Sequence, residues 1–394
     1  MISGGASLEL LAAEWNSALE RELGDAVGLR HELHANPGVS GNEHNAASRL
    51  EDELRGHVAL EHAADAGRIG RLGPAGRTVG LRAELDALPL AELTMASFAS
   101  TNGAMHACGH DVHQAALVAV IRAAKGLSLP VGIVAILQPR EETYPSGALD
   151  LVQQDALRRF EVAHVIGAHV HPDVPLGAVA TGAGFINAAA DEIRITVRGD
   201  GGHGAYPHQA ADPVAAIAQI ALGLPEVVRR TVSPLNPAII SIGTLTAGQG
   251  AANVLPAEAA IVAAMRTTAP EDREALFTAV RVMATHHAKA YGVEAEVLIE
   301  HGEPVLINDA ALAAGTDVWL ERLGIDGAEP MRSMGADDFS YFCQEVPSVM
   351  CFVGVKTGGK PSEPPLHHPE FLPTDEAVGA VARALLAGYL AAAE

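Results

Sequence analysis

The spacing of apolar positions alternates between two periods over the first part of the chain. In "LELLAAEWNSALERELGDAVGLRHELHANP" apolar residues recur three and four apart, which predicts a helix. The runs "TVGLRAELDALPL" and "VGIVAILQP" are short and apolar, as buried strands are, and "HQAALVAVIRAAKGL" between them returns to the helical period. Such alternation predicts an α/β unit built on a partly parallel sheet. Ligands of such sheets gather where loops leave the carboxyl ends of the strands, and "AELDALP" and "QPREE" both lie at such ends.

From about Ala188 the pattern changes. Strand "DEIRITVRG", helix "DPVAAIAQIALGL", strands "AIISIGTLTAG" and "AEAAIVAAMRTT", helix "PEDREALFTAVRVMATHHAKAYG" and strand "VEAEVLIEHG" follow one another. The order βαββαβ is the split, ferredoxin-like arrangement of a small two-layer domain. It reads as an insertion over residues 188–302 in a discontinuous α/β catalytic domain, 1–187 and 303–394, with a mixed sheet. After Glu303 helices resume, and an amphipathic "DEAVGAVARALLAGYLAAAE" returns to complete the first domain. A length of 394 residues suits two such units. The charge-free stretch from Thr231 to Ala257 contains Pro234, Pro237 and Pro256, so it reads as loop, strand and turn rather than a membrane span.

Charge narrows the partners. Acidic residues outnumber basic ones 48 to 26, and no lysine or arginine run offers a footprint for nucleic acid or an anionic membrane. A small-molecule substrate is expected instead. Cys108, Cys343 and Cys351 are too few and too scattered for a disulfide framework, which suggests a reducing compartment. The opening "MISGGASLELLAAEW" lacks a basic leader and a cleavage site, so a cytoplasmic location is expected.

The stretch "MHACGHDVH" places His106, Cys108, His110, Asp111 and His113 within nine residues. Either these share a helix surface by chance, or they are part of a metal site completed from elsewhere. Other chemistries find no motif. "HELH" at His31 to His34 lacks the gap that puts two histidines one helical turn apart, and His34 reads as part of a helix end. No G-x-S-x-G, Walker A or P-C-x-x-C pattern occurs. Possible further ligands stand at element ends: Glu141 and Glu142 in "QPREE", His169 and His171 in "GAHVHP", and His367 and His368 in "PLHHP". Thiolate, imidazole and carboxylate are the ligand types of zinc and neighbouring divalent metals. Five ligands exceed one tetrahedral site, whereas two ions sharing a bridge use five or six and leave room for water.

The series "GLRAELDALPL", "MHACGHDVHQA", "QPREE", "GAHVHP", "GGHGAYPH", "ANVLP", "ADDF" and "LHHPEF" resembles, in order and spacing along essentially the whole chain, a family of metal-dependent amidohydrolases. That family includes hippurate hydrolase, indoleacetyl-amino-acid hydrolases and N-acyl-amino-acid aminoacylases. The resemblance implies two divalent ions per chain, zinc foremost with manganese, cobalt or nickel as alternatives. Cys108, as the bridge, with His110, Glu142, His169 and His367 would bind them. A metal-bridging hydroxide would then be the nucleophile and Glu141 the general acid and base. Asp86 would orient a ligand imidazole; Asp111 and His113 would either support the ligands or pack the helix. In the inserted domain, the resemblance assigns lid and dimerisation roles. His203 would reach the partner chain of a homodimer to stabilise the oxyanion, and Asn253 and Arg266 would bind the carboxylate of an N-acyl amino acid.

Two other readings stay open: a metallo-carboxypeptidase or dipeptidase acting on small peptides, and a ligand-binding relative without turnover. Glu141 argues against the second, since a binder needs no base beside a metal ligand. Departures from the family pattern at Arg140, in "TYPSGA", at His171 and in "NPGVSGNE" bear on substrate choice more than on metal binding.

Overall fold

The computed structural model describes residues 4–248, 250–357 and 364–394. It is a mixed α/β structure of two compact units. One comprises residues 1–186, 307–331 and 338–394, the other 187–306 and 332–337.

The first unit is built on a seven-stranded sheet. Its middle strands, Gly132–Gln138, Thr78–Glu84, Val162–Pro175 and Ser348–Lys356, are parallel to their neighbours in that order. Both Thr78–Glu84 and Gly132–Gln138 are buried throughout, as expected of parallel strands covered on two faces. An antiparallel pair, Ala59–Ala63 and Gly67–Leu72, extends one side, and the short strand Val179–Ala180 closes the other. Helix Gly4–Ala35 buries Leu8, Leu11, Ala12, Trp15, Leu19, Ala26, Leu29 and Leu33, one stripe at helical spacing, and Trp15 Nε1 donates to the Val120 carbonyl at 3.1 Å. Helix His110–Ala123 begins three residues before the run that predicts it and is buried on nearly every side.

Two expectations change here. The strand Ser348–Lys356 lies where the sequence suggests only helices, because its run is apolar on both faces and shows no alternation. The final helix, Glu376–Ala393, is more deeply buried than its amphipathic pattern suggests: Val378, Val381, Leu385, Leu386, Tyr389 and Leu390 enter the core from one half of it, and Ala377, Ala384 and Ala387 are buried on the other.

The second unit has a four-stranded antiparallel sheet in the order Ala238–Ala247, Glu258–Thr267, Ala189–Arg198, Glu294–His301. Burial alternates along the two middle strands, so Ile193, Ile195, Val197, Ile261, Ala263 and Met265 share one face. Helices Pro213–Thr231 and Pro270–Ala290 cover that face and give this unit its own core. Segment 332–337 joins the unit although it lies far beyond the expected end at residue 302, since Ala188 N donates to the carbonyls of Ser333 and Gly335.

Candidate metal centre

Three segments of the first unit bring ligand-type side chains together at the carboxyl end of the sheet. After Thr78–Glu84 comes Asp86; after Gly132–Gln138 come Glu141 and Glu142; and His169 lies on Val162–Pro175. The turn ahead of helix His110–Ala123 supplies Cys108 and His110. This turn needs Gly109, whose φ is +80°, and a Cβ there would sit 2.4 Å from Val170 Cγ2. His367 comes from a segment near the end of the chain and has a φ of +65°. Its N–H donates to the Ala107 carbonyl at 2.9 Å, which fixes that segment to the Cys108 turn.

The ligand atoms converge. Those of Cys108, His110 and Glu142 lie within 4.8 Å of one another. Cys108 Sγ is 3.4 Å from His169 Nε2, and His367 Nε2 is 3.2 Å from Glu142 Oε1. Among the described residues, His110 Nε2 and Glu142 Oε1 are buried without an aligned hydrogen-bond partner. Two buried polar atoms left so, one a nitrogen and one an oxygen, facing a thiol and a further imidazole, are what a cation would satisfy. The donor set therefore fits divalent metal ions.

Backbone and carboxylate contacts set the imidazole orientations. His110 Nδ1 lies 2.8 Å from the Asp86 carbonyl oxygen and 3.5 Å from Asp86 Oδ1, so that nitrogen donates and Nε2 is left for a metal. Likewise His169 Nδ1 donates to the Val170 carbonyl at 2.7 Å. Asp86 is itself held by Ser40 Oγ at 2.7 Å and by the Glu142 N–H at 2.9 Å. His113 resolves the other way. Its Nε2 accepts from the Val170 N–H at 3.0 Å, so its Nδ1 carries the proton and donates to Glu84 Oε2 at 2.9 Å. Both its nitrogens are used, and it supports the site rather than ligating.

The electrostatics agree with a cation site. Burial, then Glu142 and Glu141, push the Cys108 thiol well above its ordinary range, the response of a thiol in a dry cluster of carboxylates. Burial works against charging His110, but Asp86, Glu84 and Glu142 overcome it and raise its pKa to about 10. Burial would raise the pKa of Glu84, yet Arg82 and His113 hold it well below the usual carboxylate range.

Sequence reading missed the supports. Arg82 is buried, donates from Nε to Gln138 Oε1 at 2.8 Å and from Nη2 to Asp338 Oδ1 at 2.8 Å, and pairs with Glu84. Glu43 accepts the N–H groups of Gly41 and Arg140, each at 2.9 Å, and so fixes the turn before the paired glutamates. Asp111 bonds Arg30 and His34, which makes His34 part of a buried polar network rather than a helix end alone. Arg140 turns to Asp150. A polar residue inside an apolar run was the only available sign of Arg82.

The remaining candidates lie in the second unit. His203 and Asn253 share a small antiparallel ribbon, Gly202–His203 with Val254–Leu255, where the Gly204 N–H donates to the Asn253 carbonyl at 2.8 Å. Both are exposed and line one cavity of about 960 Å³. Arg266 stands near the end of Glu258–Thr267, and its Nη1 is buried without a hydrogen-bond partner among the described residues.

Residues 80–390 match the model of the peptidase family M20/M25/M40. A probable hydrolase from Synechocystis is 33% identical over 366 residues, covering 89% of this chain and 91% of that protein. An N-acetyldiaminopimelate deacetylase from Exiguobacterium sibiricum is 30% identical over 361 residues, covering 90% and 95%. Among solved structures, an aminohydrolase from Staphylococcus aureus described as putative superposes with a TM-score of 0.90 at 28% identity, covering 96% of this chain and 98% of that one. A dinuclear metal-binding M20 peptidase from Bacillus subtilis superposes at 0.81 with 27% identity, covering 95% and 98%. The chain belongs to the peptidase family M20/M25/M40. Within that family it is a metal-dependent amidohydrolase with a dinuclear site.

Proposed function

We propose that the protein hydrolyses the amide bond of N-acyl amino acids, with Cys108, His110, Glu142, His169 and His367 holding two divalent ions. The observation that carries this reading is the convergence of thiol, imidazole and carboxylate atoms, with His110 Nε2 and Glu142 Oε1 buried and lacking an aligned hydrogen bond. When bound, the ions supply a water of lowered pKa and charge to balance the carbonyl oxygen under attack. The chain's own groups do the rest. Glu141, whose Oε2 is 3.9 Å from His110 Nε2, accepts the proton of the attacking water and returns it to the leaving amine. Asp86 fixes the His110 tautomer.

The substrate half of the reading rests on the second unit. Arg266, with a buried donor to spare, suits the planar carboxylate of an amino acid. Asn253 shares the cavity with His203, which donates to the developing oxyanion across a homodimer formed through this unit. The exposed edge strand Ala238–Ala247, with Ile239, Ile242 and Leu245 open, supports an association there. A thiol ligand such as Cys108 suits a reducing, cytoplasmic setting. The likeness to a deacetylase of an N-acetylated amino acid favours N-acyl substrates; the likeness to a peptidase favours small peptides as the second reading.

A hydrolysis screen of N-acyl amino acids and dipeptides, with zinc, manganese, cobalt and nickel supplied separately, tests this. Turnover of an N-acyl amino acid that disappears with a chelator is the expected result. Turnover of dipeptides alone would move the assignment to the peptidase reading.

A further inference from the structure

The segment carrying His367 has little apolar anchorage: Phe371 and Pro373 are buried, but His367, Glu370, Thr374 and Asp375 are exposed. Polar ties hold it instead, and several end on one side chain. Arg30, wholly buried on helix Gly4–Ala35, donates from Nη2 to the Pro373 carbonyl at 2.7 Å and from Nη1 to Asp375 Oδ1 at 2.7 Å. Its Nε donates to Asp111 Oδ2 at 3.0 Å, beside His110. The guanidinium thus joins the start of the helix that bears one ligand to the segment that bears another.

A second path closes the loop. Asp111 Oδ2 also faces His34 Nδ1 at 3.0 Å, from one turn beyond Arg30 on the same helix face. His34 Nε2 faces Glu92 Oε1 at 3.1 Å, and the next residue, Leu93, donates its N–H to the Pro369 carbonyl at 2.8 Å. Arg30, Asp111, His34, Glu92, Leu93 and the segment 369–375 therefore form a ring of bonds around the backbone that presents His367.

We infer that Arg30 is a positioning residue for the metal centre, setting His367 relative to His110. This rests on the reading that His367 is a ligand. Arginine is needed because the three acceptors lie in different directions: a guanidinium reaches them with a fixed fork of donors, and a lysine ammonium presents its donors from one point. The ion that His367 helps to hold depends on this tie, and the other ion does not.

The test is zinc affinity, measured by competition with a chelator under equilibrium dialysis. The proteins compared are the full-length wild type, His367→Ala, Arg30→Lys and Asp375→Ala. Arg68→Lys serves as a control because Arg68 is a buried arginine tied to Glu51, Ala66 and Gly67 in the same unit. His367→Ala should retain one tight ion. Arg30→Lys and Asp375→Ala should each bind one ion about tenfold or more weakly while the other keeps its wild-type affinity. Arg68→Lys should lower stability yet leave both affinities unchanged. His31 Nε2 also faces Asp375 Oδ1, at 2.9 Å, so should Arg30→Lys fail to fold, Asp375→Ala carries the test beside His31→Ala, which should leave both affinities unchanged. Wild-type affinity at both sites in Asp375→Ala, or equal weakening of both, overturns the role of Arg30. Two tight ions in His367→Ala overturn the ligand assignment instead.

Discussion

Replacing Gly109 by alanine should damage both the fold and the ligand set, by an amount the backbone allows us to work out. At a φ of +80° an L-residue loses about 1–2 kcal/mol. The added Cβ would lie 2.4 Å from Val170 Cγ2, against an ordinary carbon contact of about 3.5–4.0 Å. Val170 is wholly buried and has nowhere to retreat, so overpacking adds about 1–3 kcal/mol. The total, about 2–5 kcal/mol, is a large part of the roughly 5–15 kcal/mol that holds a typical protein folded. The contact also forces the Cys108 and His110 turn away from the strand carrying His169, so metal affinity should fall as well. Urea unfolding of the chelator-stripped protein measures the first effect. A double-mutant cycle with Val170→Ala isolates the contact and should show a coupling of about 1–3 kcal/mol. A loss under about 1 kcal/mol, or strict additivity in the cycle, would mean that the turn accepts a Cβ without meeting Val170.

Further outcomes are expected. Glu141→Gln should stay folded and keep both ions while turnover falls about 100-fold or more; retained turnover would move the base elsewhere. Arg266→Ala should raise KM for substrates with a free carboxylate and discriminate little against their amides, and an equal effect on both would make Arg266 structural. Co-refolding inactive His203→Ala and Glu141→Ala chains should restore up to about a quarter of wild-type activity, because half the dimers would be mixed and each would hold one intact site. No recovery, with subunit exchange shown by mass labelling, would place His203 in its own chain's site. His34 titrates between two acids: burial opposes its charge, but Asp111 and Glu92 overcome this and raise its pKa above 6.5. The stability it contributes is thus complete below pH 6.5 and is lost as pH rises through the raised value. Urea midpoints against pH should show this limb in the wild type and lack it in His34→Gln.

Much of the candidate metal cluster was legible because its residues sit where local patterns end. "MHACGHD" packs its ligands into one turn, and "QPREE" follows a strand whose apolar run is unmistakable. The insertion was equally legible, since the half-buried strand Ala189–Arg198 alternates cleanly. What escaped depends on distant partners. Nothing near Arg82 announces Asp338, and nothing near Arg30 announces Asp375. Strand Ser348–Lys356 escaped because an uninterrupted apolar run fits a buried helix as well as a strand. The hairpin Ala59–Leu72 is short and interrupted by Gly67 and Gly70, which weaken any period.

The position of Ser348–Lys356 bears on how the chain is made. This strand pairs with Val162–Pro175, almost two hundred residues earlier, and the core it joins is closed by helix Glu376–Ala393. A ribosome delivers both after the insertion. Meanwhile the insertion, with a core drawn from 193–299, has nearly all its residues by the time Leu306 emerges. A core confined to 193–299 lets the inserted unit fold before the earlier sheet is complete, whose surface destined for Leu385 and Tyr389 stays open to water until those residues arrive. Open apolar surface of this kind is what chaperones bind, and slowing translation after residue 306 would prolong its exposure.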